Sequence, residues 1–337
     1  ALDVRAFVLL IVLGTSLLLS GCPQPPPASP PAEAPVERPL PSDDASDWPR
    51  TFTDAMGEEV TLEAPPRRVI SLSTGFTEAI FAMGAGDRLV GRVTFADYPP
   101  EVQEVPSVGG MIDPSLEAIV AQEPDLLLTV RGTPKDVIKT IQRAGIPIIA
   151  RDPTSIQEVI GCIRDIGRYL GVEQDADELA DELAARAEAV AERGNALATS
   201  QGRPSVLFIV GLDPAYVAGE GHFVDDMIST AGAINAATLM DGTEGDQWLN
   251  LSMEAVVELD PDIIVVAMMH KDEWQAIDPD EAFEGKPGWQ DLSAVEAGRV
   301  YKINPDLAVR AGPRLIDALE QMADIIQDAV GGGPSDG

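Results

Sequence analysis

Twelve consecutive residues recur without a gap. Ser115-Leu116-Glu117-Ala118-Ile119-Val120-Ala121-Gln122-Glu123-Pro124-Asp125-Leu126 returns as Ser252-Met253-Glu254-Ala255-Val256-Val257-Glu258-Leu259-Asp260-Pro261-Asp262-Ile263. Ser, Glu, Ala, Val, Pro and Asp coincide, and most other pairs are of similar type. Each copy reads as a short helix, an acid-Pro-Asp turn and a buried strand. Pro cannot continue a helix, so the helix must stop before it. Between the copies lie residues 172–199, dense in Ala, Glu, Asp and Leu, with no Pro and no Gly before Gly194. Leu179, Leu183, Ala187 and Val190 mark one stripe at helical spacing, which predicts a single long helix. Two similar lobes joined by one such helix place a ligand cleft between them.

The rest of the chain fits that plan. Residues 50–62 read as a hairpin turning near Met56-Gly57. Short apolar runs at 69–73, 89–93, 126–130 and 146–150 then alternate with helical patterns at 77–83, 115–122, 135–144 and 155–170. After the long helix the alternation restarts, with strands at 205–210, 263–267 and 300–303 and helices at 223–231, 252–259 and 314–330. Such βα alternation predicts an α/β fold of two mostly parallel lobes. The expected divisions are an export signal at 1–22, a Pro-rich tether at 23–49, an N-terminal lobe at 50–171, the connecting helix at 172–200, a C-terminal lobe at 201–332 and a flexible tail at 333–337.

Composition excludes several functions. Net charge is −33, which argues against nucleic acid, since phosphate binding needs a basic face. It also argues against lying flat on an anionic bilayer. Two cysteines do not make a disulfide framework. Cys162 falls among Ile156, Val159, Ile160, Ile163, Ile166 and Leu170, which predicts a buried thiol. His222 and His270 are the only histidines, too few for a His-rich metal site, and no metal site is expected. No nucleophile elbow, Walker loop or His-centred triad is visible, so catalysis is not expected.

The first residues point outward from the cell. Residues 6–19 are an apolar run after Arg5, ended by Leu19-Ser20-Gly21-Cys22. At ~1.5 Å per residue the run falls short of a ~30 Å bilayer core, so it suits a signal peptide better than a membrane span. The Leu-Ser-Gly-Cys string resembles a bacterial lipobox, which implies lipidation at Cys22. Residues 23–49, rich in Pro, Ala, Ser and acid, cannot pack a core and suit a stiff tether.

From residue 50 to 330 the sequence resembles the solute-binding proteins of ABC transporters for cobalamin, haem and iron–siderophores. The markers are Val69-Ile70-Ser71-Leu72 with Thr77-Glu78, Gly109-Gly110, Gly211 through Gly219, Ala231-Gly232-Ala233-Ile234-Asn235, Pro287-Gly288-Trp289 and Gly298-Arg299-Val300-Tyr301. Phe95-Ala96-Asp97-Tyr98-Pro99-Pro100 looks most like the cobalamin-binding members. Asp97 is expected to cap the following turn, with the prolines presenting Phe95 and Tyr98.

The resemblance implies ligand contacts at Phe95, Tyr98, Gly110, Met111, Val130, Arg131, Tyr216, Trp248 and Asp306. Trp248 is read as standing in a polar loop, whereas Trp274 and Trp289 are read as packing or surface residues. The resemblance further implies that Glu117 and Glu254 dock a permease dimer coupled to its ATPase. The ligand is expected to be cobalamin or another corrinoid, with an iron–siderophore or haem as the alternative. In a siderophore binder, Arg131 and Arg310 would be the candidate cations. An enzyme acting on a corrinoid is the remote alternative. No resident cofactor is implied, and the protein is expected to be a monomer at the outer or periplasmic face of a membrane.

Overall fold

The computed structural model describes residues 47–331, apart from 244, 246, 269–277, 280–282 and 284. Cys22, the signal and tether up to residue 46, His270, Trp274 and the tail at 333–337 therefore lie outside the described residues. The chain enters through a hairpin, β1 (Arg50–Thr53) and β2 (Glu59–Leu62). Asp54 stitches its turn, its Oδ1 accepting from the Met56 and Glu58 amides at 2.8 and 2.9 Å.

The N-terminal lobe is built on a four-stranded parallel sheet of order β4-β3-β5-β6: β3 (Val69–Ser71), β4 (Leu89–Arg92), β5 (Leu126–Val130) and β6 (Ile148–Arg151). Helices α1 (Thr74–Ala82), α2 (Leu116–Ala121), α3 (Lys135–Arg143) and α4 (Ile156–Leu170) connect and cover it. The α4 face predicted from spacing is buried, Cys162 included, and burial pushes that thiol above its usual range. Helix α1 starts three residues earlier than the pattern predicts. Ser73 Oγ accepts from the Phe76 amide as N-cap, and Gly75 in the first turn masks the signal.

Helix α5 (Glu173–Gln201) is the predicted single helix, 29 residues and about 43 Å long. Ala176, Ala180, Leu183, Ala187 and Val190 form its buried stripe, while Leu179 is half-buried. Arg164 of α4 reaches Asp177 and Asp181 at 3.0 and 2.7 Å. Arg186 and Arg193 of α5 reach across to Glu320 and Asp324 at 2.7 and 2.5 Å. The helix is thus tied to both lobes.

The C-terminal lobe holds β7 (Ser205–Leu212), β8 (Ala215–Ala218), α6 (Phe223–Thr230), β9 (Ile234–Asn235), β10 (Trp248–Leu251), α7 (Met253–Leu259), β11 (Ile263–Val266), α8 (Ser293–Glu296), β12 (Val300–Lys302), α9 (Pro305–Ala308) and α10 (Leu315–Gly331). Its sheet runs β10-β8-β7-β11-β12, with β9 also on β7. β9, β7, β11 and β12 are parallel, whereas β8 and β10 add an antiparallel edge that sequence reasoning missed. Trp248 is therefore a strand residue, paired with Ala218, not part of a loop. Four-residue strands beside Asp213-Pro214 and Gly245 carry too little periodicity to stand out.

The repeat folds twice into the same unit. Ser115 and Ser252 are N-caps, each Oγ accepting from the amide three residues on at 3.2 Å. Among the described residues, Glu123 and Asp260 are the two non-glycine residues with positive φ, at 46° and 35°. Asp125 then accepts from the Arg67 and Arg68 amides just before β3, and Asp262 accepts from the Ser205 amide opening β7, all at 2.8–2.9 Å. Each repeat Asp therefore sets its own strand beside the neighbouring parallel one, β5 on β3 and β11 on β7. One apolar core runs through both lobes and α5, from Val69 and Phe76 through Leu183 to Phe208 and Leu319.

Candidate ligand-binding cleft

In α/β sheets, ligand sites lie beyond the carboxyl ends of the strands. Residues 93–99 follow β4, Arg131 follows β5, and Asp306 follows β12. Two of these segments meet, since Asp97 and Asp306 both pair with Arg310. Arg92 is buried, and its guanidinium donates to the carbonyls of Val102 and Val105 at 3.0 Å and of Thr94 at 3.1 Å. That clasp leaves Phe95 72% and Tyr98 44% exposed at the rim. The Thr94 amide donates to the Gly109 carbonyl at 2.8 Å. Met111 packs on Val93, Ala96 and Val102, and its methyl lies 3.6 Å from where a side chain on Gly132 would begin. Gly109 and Met111 are thereby tied to the segment after β4, whereas Val130 ends β5 and Arg131 follows it. Arg131 is held by Asp152 at 3.2 Å and donates to the Ala55 carbonyl at 3.0 Å.

The floor is an ion-pair cluster that joins the lobes. Glu78 of α1 is buried and accepts from Arg314 Nε and Nη2 at 2.9 and 2.6 Å. Arg310 lies 3.4 Å from Glu78 and 2.7 Å from Asp97, and it also pairs with Asp306. Asp97 thus takes the arginine of the opposite lobe, and the turn helix after Pro99 has no side-chain cap. The Arg314 guanidinium carbon sits 3.9 Å from the Tyr98 ring centroid, so a C-lobe cation backs an N-lobe aromatic. Backbones meet beside it: a side chain on Gly75 would lie 2.1 Å from the Ala311 carbonyl oxygen, which only glycine avoids.

Tyr216 and Trp248 form a second constellation at the antiparallel edge. Their rings stack at 5.4 Å with planes 27° apart. His222 closes the group, 4.5 Å from Trp248 and 4.0 Å from Phe223. Its Nδ1 accepts from the Val224 amide, capping α6, so in the neutral ring Nε2 carries the proton. Burial pulls its pKa down to about 4. Trp289 is buried against Phe283 at 4.6 Å, which makes it a packing residue, the first of the two roles read for it from sequence. Among the described residues, no group of three or more His, Cys, Asp or Glu is placed to hold a metal.

Glu117 and Glu254 stand exposed in the first turns of α2 and α7. Val120 and Val257, equivalent in the repeat, are each 46% exposed one turn further on. Sequence reasoning named Asp306 and Arg310 but did not foresee the ion-pair cluster they share with Glu78 and Arg314. Thr77-Glu78 was noticed as a marker, and an acid among Phe76, Ala79 and Ile80 was its only local signal. Nothing local pairs it with arginines 232 and 236 positions away.

Two lobes whose strand ends face each other across a shared floor define a two-lobed binding protein. The chain matches the periplasmic binding protein family over residues 69–307 and belongs to it. It is 34% identical over 284 residues to YvrC of Bacillus subtilis (strain 168), an uncharacterized ABC transporter substrate-binding lipoprotein, covering 83% of this chain and 86% of that one. It is 28% identical over 291 residues to a cobalamin-binding protein of Halobacterium salinarum (strain ATCC 29341 / DSM 671 / R1), covering 84% of this chain and 75% of that one. Among solved structures, the apo periplasmic heme-binding protein RhuT from Roseiflexus sp. RS-1 superposes with a TM-score of 0.68 at 30% identity, covering 78% of this chain and 99% of that one.

Proposed function

We propose that this chain is the extracytoplasmic solute-binding component of an ABC importer and that it captures a corrinoid for a permease dimer with its ATPase. The observation that carries the reading is the Tyr98 platform. One face of the ring lies on Arg314, while the residue stays 44% exposed beside the more exposed Phe95. A flat, partly apolar macrocycle suits such a surface. Phe95, Tyr98, Gly110, Met111, Val130 and Arg131 would form one wall, with Asp306 at the floor and Tyr216 and Trp248 on the C-terminal lobe. The similarity to a cobalamin-binding protein supports this ligand class. Binding is proposed to occur without turnover, with no resident cofactor, in a monomer whose lobes end near residues 171 and 332.

The haem reading is favoured by one observation, the likeness to a heme-binding protein at 30% identity. Incubating residues 50–337 with cobalamin, cobinamide, haemin and ferric siderophores, followed by gel filtration, separates the readings. Co-elution of haemin or a siderophore alone would replace the corrinoid. With the bound macrocycle identified, Trp248→Ala is expected to weaken it by about 1–3 kcal/mol, the range of an interface aromatic anchor. Unchanged affinity by titration would leave Trp248 a packing partner of Tyr216.

Lipid attachment at Cys22 is the proposed link to the membrane. No helix among the described residues is long and apolar enough to cross one. Two acyl chains hold a protein stably where one is marginal. Cys22→Ser is expected to shift the protein from the membrane pellet to the soluble fraction. Continued sedimentation of that variant would point to an uncleaved N-terminal helix instead.

A further inference from the structure

A cavity of about 540 Å³ opens between the hairpin turn and α3, within the range of small-molecule sites. Its lining comes from the N-terminal lobe alone and includes no member of the ion-pair floor. Met56 and Glu58 of the turn form one side. Lys135 and Lys139 form the other, four positions apart and so on one face of α3. Arg131 stands at the helix start, and buried Ile138 lies between the lysines in the chain. Met56 packs on the apolar cluster that contains Ile138. The turn is held in place without a ligand. Buried Asp54 accepts from the Met56 and Glu58 amides through Oδ1 and from the Ala150 amide through Oδ2, at 3.3 Å. The Ala55 amide donates to the Ala150 carbonyl at 2.8 Å, and Arg131 Nη2 donates to the Ala55 carbonyl at 3.0 Å.

The charge here runs against that of the chain. Acidic residues outnumber basic ones 56 to 23, and five of the 23 are lysines. Two of those five line this cavity, and among the described residues neither ammonium has a partner. Asp152 is taken up by Arg131 at 3.2 Å, and Asp54 by amides. The acid of the lining itself is Glu58. We propose that this cavity binds a small organic phosphate, its phosphoryl group between Lys135, Lys139 and Arg131 and its carbon body on Met56 and Ile138. A phosphate monoester carries close to two negative charges and three strong acceptor oxygens near neutral pH, which suits three separate cations. At physiological salt the Debye length is about 8 Å, so these nearby cations outweigh the distant part of the −33 charge. The site stands whether or not the interlobe cleft takes a corrinoid, because nothing in its lining comes from the C-terminal lobe.

The test titrates glycerol 3-phosphate into the full chain labelled at its Met and Ile methyl groups. The Met56 and Ile138 methyl signals are expected to shift saturably, and equal concentrations of glycerol are expected to leave them in place. Acetate, with one charge, is expected to bind more weakly. A unit charge at about 4 Å counts about fivefold in an equilibrium constant even in bulk water. Lys135→Gln with Lys139→Gln is therefore expected to weaken binding at least about tenfold, and Glu58→Gln to strengthen it up to about fivefold. Added salt should shrink both effects. All three side chains are exposed, and Arg131 is left unchanged because it also stands in the wall proposed for the macrocycle. Vesicles of phosphatidylglycerol separate a soluble ligand from a membrane headgroup. Shifts that rise without saturation, acetate binding as tightly, or an affinity indifferent to the lysine and Glu58 substitutions overturns the proposal. So does a response to the vesicles without one to glycerol 3-phosphate. Failure of every macrocycle to bind would leave this result untouched and count against the reading of the cleft alone.

Discussion

Replacing Glu78 by Leu is expected to lower stability by about 3–5 kcal/mol, the cost of removing one partner from a buried ion pair. Its side chain is nearly inaccessible and accepts a forked pair from Arg314. Without it, Arg314 keeps its place on the Tyr98 ring and a marginal contact to the Asp306 carbonyl, at 3.5 Å, and loses most of its hydrogen bonding inside the protein. Arg310 is less affected, because Asp97 and Asp306 remain on it. The second arm of the test is Glu78→Leu with Arg314→Leu. Apolar replacement of a whole buried pair is often neutral or stabilising, so the double variant should recover most of the loss. Urea unfolding with an unchanged slope reads this as a stability change. A single variant as stable as the parent would mean that the cluster contributes nothing to joining the lobes.

Changing Glu117 and Glu254 to Ala is expected to abolish uptake and stable association with the permease while leaving the fold and ligand affinity nearly intact. Both are exposed, and the dipole contribution of an acid in a first turn is only ~0.3–1 kcal/mol. Exposed ion pairs contribute about 0–1 kcal/mol, but close charge pairs buried at an interface couple by ~1.5–7 kcal/mol. The effect must therefore be sought in the complex. The repeat places the same Ser cap, Glu and exposed Val on each lobe, so a partner meeting both with the same chemistry would present its own surface twice. Reconstituted transport at the parental rate in the double variant would return the glutamates to the role of helix-start residues.

Local and repeated signals were legible in the sequence, and distant pairings were not. The repeat announced itself because each copy needs a cap, a left-handed acid and an Asp that holds the adjacent strand. The parallel strands were visible because strands buried on both faces read as unbroken apolar runs, as in Ile263–Val266, where all four are buried. The edge strands β8 and β10 were hidden by their length and by their turn residues. At Trp248 the resemblance supplied the residue while local pattern misjudged its surroundings, because a stack with Tyr216 and His222 is a tertiary fact. Asp97 was read from its neighbours as a turn cap, although it pairs with Arg310, 213 positions away.

Gly75 and Gly312 meet almost atom to atom, with no room for a methyl group on either backbone. A contact of that kind works as a fulcrum. The lobes can roll about it, but sliding past it would drive one chain into the other. Motion that widened the mouth would also stretch the Arg310 and Arg314 pairs beside the pivot and strain α5, which is fastened at both ends. The cleft is therefore held near one aperture before any ligand arrives, and little ordering is left for the moment of capture. Widening the mouth would mean breaking the Arg310–Asp97 and Arg314–Glu78 pairs that join the lobes.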